Sequence, residues 1–362
     1  MISIFFFCGG REDNNTMKTI NPDELKTYSL TNDNNCSVRI TNFGASVMSL
    51  KVPDKNGKIG DVVLGYETPE EYIEGNPYFG ATIGRYGNRI CKGKFALDGE
   101  EYTLPVNNGN NHLHGGPQGF HNLIWTVKDY RNDNDQHFIE LEYVSKDGEQ
   151  GYPGQVTVTV KYTLTEKNEL VLDYVAVTDT KTIINLTHHS FFNLKDGGKS
   201  TVLDHRLKIL ADAYTPVNGE LIPTGEIKPV EGTPMDFTEC TEIGKRINND
   251  FIQLTYGEGY DHNWVLNKKT DSLALAAVVC EPESRRKMEV YTTEPGLQFY
   301  SGNFLDGSDE GKQGVTYEYR TAFCLEAQHF PDSPNHDNFP STVLLPEVKY
   351  SQRTMYKFST EE

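Results

Sequence analysis

The sequence lacks most features that would tie it to a membrane, a nucleic acid or a metal. No apolar run approaches the roughly 20 residues that a membrane-spanning helix needs. Positive charge is scarce: 34 Lys and Arg stand against 52 Asp and Glu, for a net charge of −18. A basic patch for a phosphate backbone or an anionic lipid surface is therefore not expected. Cysteine is rare as well. Cys8, Cys36, Cys91, Cys240, Cys280 and Cys324 are scattered, with no Cys-x-x-Cys pair and no zinc-like spacing. They read as free thiols in a chain that does not depend on disulfides. Nor is there a repeat, a low-complexity linker or a charge block to mark a domain boundary.

Aromatic residues, by contrast, are plentiful. With 36% apolar residues, 20 Tyr and 18 Phe, the chain can bury a large core and reads as a soluble globular protein. Residues 1–20 form a tail and 21–362 one domain. Met1 to Phe7 is apolar but has no charged leader and is short for a signal core. It runs into Cys8-Gly9-Gly10. Two readings stay open: the end of a lipoprotein signal that starts upstream, or an extension before Met17-Lys18. The expected compartment is the cytoplasm, or the periplasm or a lipid anchor if Cys8 belongs to such a signal.

Period-two alternation dominates the rest of the chain. Along 155–165, Val156, Val158, Val160, Tyr162 and Leu164 fall on one face, with Thr157, Thr159, Lys161 and Thr163 on the other. Residues 169–178 repeat the pattern after an Asn168 turn. Lys94 to Leu97 and Glu101 to Leu104 form a hairpin around Asp98-Gly99. Leu203, Leu207 and Ile209 alternate, as do Met288, Val290 and Thr292. Helical signals are limited to one turn at 69–72 and a short helix over 239–248. Many short strands separated by turns indicate a large antiparallel β-sandwich, an all-β fold with few short helices.

Several polar clusters interrupt this pattern. Glu326 is the most telling, because it sits in the apolar run Phe323-Cys324-Leu325-Glu326-Ala327. Such a carboxylate lies either on a solvated strand face or buried among partners, and the buried case marks a site. The other clusters, taken singly, have plain structural explanations. Arg89 can be a surface ion pair, Asp261 a turn residue, Gln298 a polar strand position, and His114 with Gly115-Gly116 a turn.

Together the clusters resemble the aldose 1-epimerase, or galactose mutarotase, family. The matching stretches are Gly-Arg-x-x-Asn-Arg-Ile at 84–90, Leu-His-Gly-Gly at 113–116 and Thr-x-His-Ser-x-Phe-Asn-Leu at 187–194. They continue with Tyr-Asp-His-Asn at 260–263, Tyr-Thr-Thr-x-Pro-Gly-x-Gln-Phe-Tyr-x-Gly-Asn at 291–303 and Phe-Cys-Leu-Glu-x-Gln-x-Phe-Pro-Asp at 323–332. These blocks span most of the chain in family order. The resemblance implies a mutarotase-like sandwich, a free aldose such as glucose or galactose as substrate, and neither metal nor organic cofactor. It makes Glu326 the general base and His189 the general acid, with Asn88, Arg89, His114, Asp261 and Gln298 binding the sugar hydroxyls. Three departures stand out. His188 replaces a usual Asn and would alter sugar preference or hydrogen bonding beside His189; Phe191 replaces a common Tyr; and Glu347 follows Pro346 where Gly is usual.

The implied chemistry suits these residue types. Interconverting anomers takes a proton from the C1 hydroxyl and gives one to the ring oxygen; the ring opens, C1–C2 rotates, and closure reverses both transfers. One base and one acid suffice, with donors to hold charge developing on oxygen. Rate should be bell-shaped in pH, with Glu326 protonation setting the acid limb and His189 deprotonation the alkaline one. Three rivals remain: a non-catalytic carbohydrate-binding sandwich, a sugar-phosphate epimerase on the same fold, and a metallohydrolase. The first should have lost its acid or base, and the second should show a Lys/Arg cluster beside the motifs. The third would draw on His112, His114, His188, His189, Asp261 and His262, which lack zinc spacing.

Overall fold

Alternating Val/Thr segments pair with one another because each exposes one apolar face and an unsatisfied backbone edge. The structure, a computed structural model, describes residues 20–75, 77–133, 136–268 and 271–361; Cys8 and Met17-Lys18 lie outside them. Strands Val156–Leu164 and Glu169–Thr178 are the third and fourth strands of a nine-stranded sheet. Thr126–Asn132 and His137–Ser145 extend it on one side; Tyr350–Thr360, Arg286–Thr292, Ala274–Cys280, Arg206–Ile209 and Thr241–Glu242 extend it on the other. The inward-facing Val156, Val158, Val160, Tyr162 and Leu164 are at most 2% exposed. Each buried valine or leucine of this kind contributes about 1.5–3 kcal/mol.

A second, five-stranded sheet packs on the first. Its order is Lys228–Pro229, Ala213–Thr215, Asp261–Val265, Gly296–Tyr300 and Cys324–Gln328. Leu297, Phe299, Leu325 and Ala327 point from it into the shared core, where they join Leu172, Tyr174, Val290 and Tyr356. The Tyr356 hydroxyl donates to the Leu325 carbonyl across this layer. Every ladder among the described strands is antiparallel, so the expected all-β sandwich is what forms. No helix of the described residues is long and apolar enough to cross a membrane.

Local expectations fare unevenly. The Asp98-Gly99 hairpin is present, with φ of 52° and 84° at its corner. The turn at 69–72 is a 3₁₀ turn, Glu70–Tyr72. The helix over 239–248 does not form. Thr241–Glu242 instead pairs with Arg206 and Leu207, and only Ile243–Lys245 makes a 3₁₀ turn. The reason is where the backbone donors go: Ile243 and Gly244 N–H bond the carbonyls of His205 and Leu203 rather than the preceding turn. Leu203 thereby lies outside the Arg206–Ile209 strand rather than continuing its alternation. The α-helix among the described residues is Ile252–Gly257, too short to leave a periodic signature. Glu347, where the family favours glycine, holds φ of 66°, a left-handed conformation that glycine adopts without steric cost.

Candidate functional site

Alternation on the five-stranded sheet also builds the site. While Leu325 and Ala327 enter the core, Cys324, Glu326 and Gln328 face the other way; Gln298 and Tyr300, and Asp261 and Asn263, do the same on the next two strands. Register sets Asn263 opposite Gln298 and Gln298 opposite Glu326, making one row across three strands. Above this face opens a cleft of about 510 Å³, lined by Asn88, Arg89, His114, His189, Asp261 and Glu326 among others. Gln298 borders it through its hydrogen bond to Asp261. Glu326 is 2% exposed, so the solvated-face explanation does not hold.

Two further segments close the cleft. The strand Arg89–Ile90 pairs with His112–Leu113, which brings Asn88 and His114 together. The Asn88 backbone N–H donates to His114 Nδ1 at 3.2 Å, and Asn88 Oδ1 accepts from the Arg89 N–H. The Arg89 guanidinium is no surface ion pair: at 6% exposure it donates from Nε to Asn108 and lies 3.5 Å from Asp261. Asp261 in turn accepts from Gln298 Nε2 at 2.7 Å. Asp261 is thus held by two neighbours rather than by a turn.

The Leu-His-Gly-Gly stretch takes its form from crowding. His114, Gly115 and Gly116 have φ of 52°, 81° and 92° in succession. A Cβ on Gly115 would sit 1.8 Å from the Gly84 carbonyl oxygen. Gly115→Ala is therefore expected to cost about 3 kcal/mol or more, summing backbone strain and overpacking. Gly99→Ala, at a comparable φ but with open space around it, should cost about 1 kcal/mol. Denaturant midpoints compare the two directly. Equal losses would mean that close approach is not what Gly115 provides.

His188 and His189 point to opposite sides of the strand Thr187–His189. His189 faces the cleft, its Nε2 3.6 Å from Glu326 Oε2 and its Nδ1 3.6 Å from Cys324 Sγ. His188 turns into the core, bonded to Ser190 Oγ at 2.6 Å beside the rings of Tyr162 and Tyr356. The expected influence of His188 on the hydrogen bonding of its neighbour is therefore corrected: its ring is on the wrong face. Arg85, from the first motif, is structural too, donating to the carbonyls of Pro153, Gly154, Ser145 and Lys146.

Burial sets the proton states. It drives Glu326 well above the usual carboxylate range, with the Asp261 charge adding to the rise and Arg89 opposing it. It pulls His189 down to about 4. Burial thus favours the neutral form of each group, an uncharged carboxyl beside an uncharged imidazole. Burial, with His189 and Arg89 adding, holds His114 well below its ordinary value, so this ring is neutral. Since its Nδ1 accepts a hydrogen bond, Nε2 carries the hydrogen and offers a donor to the cleft.

The same fact bears on metal binding. Among the described residues, His114, His189 and Glu326 alone bring three possible ligand atoms within 4.8 Å of one another. A ligating imidazole normally donates its second N–H to an acceptor. His114 instead meets an N–H donor there, so the set suits a hydroxyl better than a metal. The other histidines do not converge on it. His112 is spent on the Pro105 carbonyl and Tyr152, and His262 Nδ1 accepts from the Asp261 N–H.

Sequence reasoning missed Asn108, Tyr78 and Tyr300, which also line the cleft. The Asn-rich run 107–111 just before Leu-His-Gly-Gly was a usable signal for the first, and Tyr300 lies in the matching stretch 291–303, two residues from Gln298; Tyr78 carries none.

The model of the aldose 1-epimerase family matches residues 26–357. A galactose mutarotase from Sus scrofa is 45% identical over 322 residues, covering 89% of this chain and 91% of that protein. An aldose 1-epimerase from Escherichia coli K12 is 38% identical over 351 residues, covering 96% and 99%. Among solved structures, a GalM/aldose epimerase homologue from C. elegans superposes with a TM-score of 0.86 at 31% identity, covering 93% of this chain and 100% of that one.

Proposed function

The chain belongs to the aldose 1-epimerase family, and from this premise we infer that it interconverts the α- and β-anomers of free aldohexoses such as glucose and galactose. The observation that carries the reading is the buried Glu326–His189 couple in a cleft whose remaining polar groups are fixed in place. Glu326 takes the C1 hydroxyl proton and His189 delivers one to the ring oxygen; closure on the other face reverses both. Glu326 Oε2 and Gln298 Oε1 have no hydrogen-bonding partner among the described residues, which leaves them for sugar hydroxyls. His114 Nε2 donates, while Asn88, Arg89 and Asp261 orient the ring. Residues 21–362 act as one domain, since a single apolar cluster runs through both main sheets. The free thiols of the described cysteines favour a cytoplasmic setting; labelling of the cellular protein by radioactive palmitate at Cys8 would move it to a membrane anchor.

The reactive form needs a carboxylate and an imidazolium, which together hold one proton, as does the resting pair. The bell in pH therefore persists, but its limbs exchange owners. Below about 4, His189 also takes a proton while Glu326 keeps its own, and the base is lost. Above the raised value of Glu326 the pair holds no proton, and the acid is lost. A rate still rising with pH well beyond neutrality, with no alkaline fall, would contradict this pairing.

Free sugars are preferred over phosphorylated ones because Arg89 is already engaged by Asp261 and Asn108. Magnetisation exchange between the two anomeric protons of equilibrated glucose, galactose and their 6-phosphates tests this. Enzyme-dependent exchange should appear for the free sugars. Exchange confined to the phosphates would reverse the assignment, and none at all would leave a binding protein.

A further inference from the structure

The acid and base chemistry does not by itself account for Tyr78. Its backbone has φ of 71°, a left-handed conformation that costs a bulky residue about 1–3 kcal/mol. Strain of this size persists where the surroundings demand one placement. Here the placement is tied to the strand that carries His189. The Tyr78 carbonyl accepts from the Ala81 N–H, Ala81 pairs with His189, and the Gly80 N–H donates to the His189 carbonyl at 3.0 Å. Held this way, the Tyr78 ring lies 5.6 Å from the His189 imidazole, inclined by 31°. The ring of Phe191 stacks on the same imidazole at 5.0 Å and 24°. Tyr78 also touches the rings of His114 and His121, each at 4.7 Å.

We propose that Tyr78 is a positioning residue for the reaction: its ring and that of Phe191 pack on the His189 imidazole and hold Nε2 on the line to Glu326. The proposal rests on the reading of His189 as the acid. Two physical effects support it. A ring packed against two others tilts less freely, and misplacing a reacting group by about 1 Å costs on the order of a hundredfold in rate. Aromatic faces also favour a cation beside them, hence the imidazolium that gives up the proton. The other titratable groups around His189 are Glu326, Asp261, Cys324, His114, His121 and His188. Of these, Asp261, and Glu326 in the reactive form that has passed its proton on, bear negative charge beside His189, so the aromatic faces supplement them without duplicating them.

Tyr78→Leu is expected to lower kcat about ten- to a hundredfold while KM changes less than about threefold. Tyr78→Phe, which keeps the ring and loses the hydroxyl, should restore kcat to within about threefold. Phe191→Leu should show the same split between kcat and KM, and it serves if Tyr78→Leu does not fold by its unfolding midpoint. In a His189→Asn background, Tyr78→Leu should add no further loss. Three results would overturn the proposal: a Phe variant as poor as Leu with raised KM, which makes the hydroxyl a sugar contact; an unchanged Leu variant; or an equal further loss in the His189→Asn background. Failure of the acid assignment itself looks different, because His189→Asn alone would then keep its rate.

Discussion

Replacing Glu326 by Gln is expected to lower the rate of anomer interconversion by at least about a hundredfold, the scale for losing a general base. The amide keeps the size of the carboxyl and can still accept one hydrogen bond, but it cannot take a proton from the C1 hydroxyl. Stability should not suffer. Glu326 is buried with one oxygen unpaired among the described residues, and burial together with the Asp261 charge already disfavours its ionised form. A neutral isostere removes that cost, so the variant should unfold at the same temperature as the parent or slightly above it. A drop in rate together with a drop in unfolding temperature would point to damage rather than to lost chemistry. Near-normal turnover in a stable variant would move the base elsewhere.

The second large effect separates the two histidines of the cleft. His189→Asn removes the group that protonates the ring oxygen, and a loss of about a hundred- to ten-thousandfold is expected. His114→Asn removes one neutral donor, worth about 0.5–1.5 kcal/mol, and so should cost no more than about tenfold. The pH profiles should differ in kind. With His114→Asn both limbs remain, since Glu326 and His189 still exchange one proton between them. With His189→Asn the alkaline fall disappears, because the residual rate needs only an ionised Glu326 and rises with pH. Kinetics of both variants from acid to alkaline pH decide the matter. If His114→Asn abolishes the alkaline limb while His189→Asn preserves it, the acid is the other histidine.

The outer layer of the fold was legible because its strands are half-buried. Val156 to Leu164 alternate between a buried face and a partly exposed one, so the period survives in the sequence. The five-stranded sheet beneath the cleft left no such trace. All residues of Cys324–Gln328 and of Gly296–Tyr300 are buried, one face in the core and the other under the cleft. Polar and apolar residues then alternate without any difference in exposure, and Glu326 looks like an anomaly until its row is seen. His188 and His189 are indistinguishable by composition; the strand's pleat separates them. Tyr78 was out of reach, because its place depends on a left-handed turn that its residue type does not favour. The helix over 239–248 failed for the opposite reason, since tertiary pairing by Ile243 and Gly244 outweighed a weak local preference.

Polarimetry on freshly dissolved α-D-galactose and α-D-glucose tests the central claim most directly. With catalytic amounts of the protein, the approach to equilibrium should be faster in proportion to protein concentration and should end at the same rotation as the unaided sugar. A rate equal to the spontaneous one for both sugars, with protein that is folded, would contradict it.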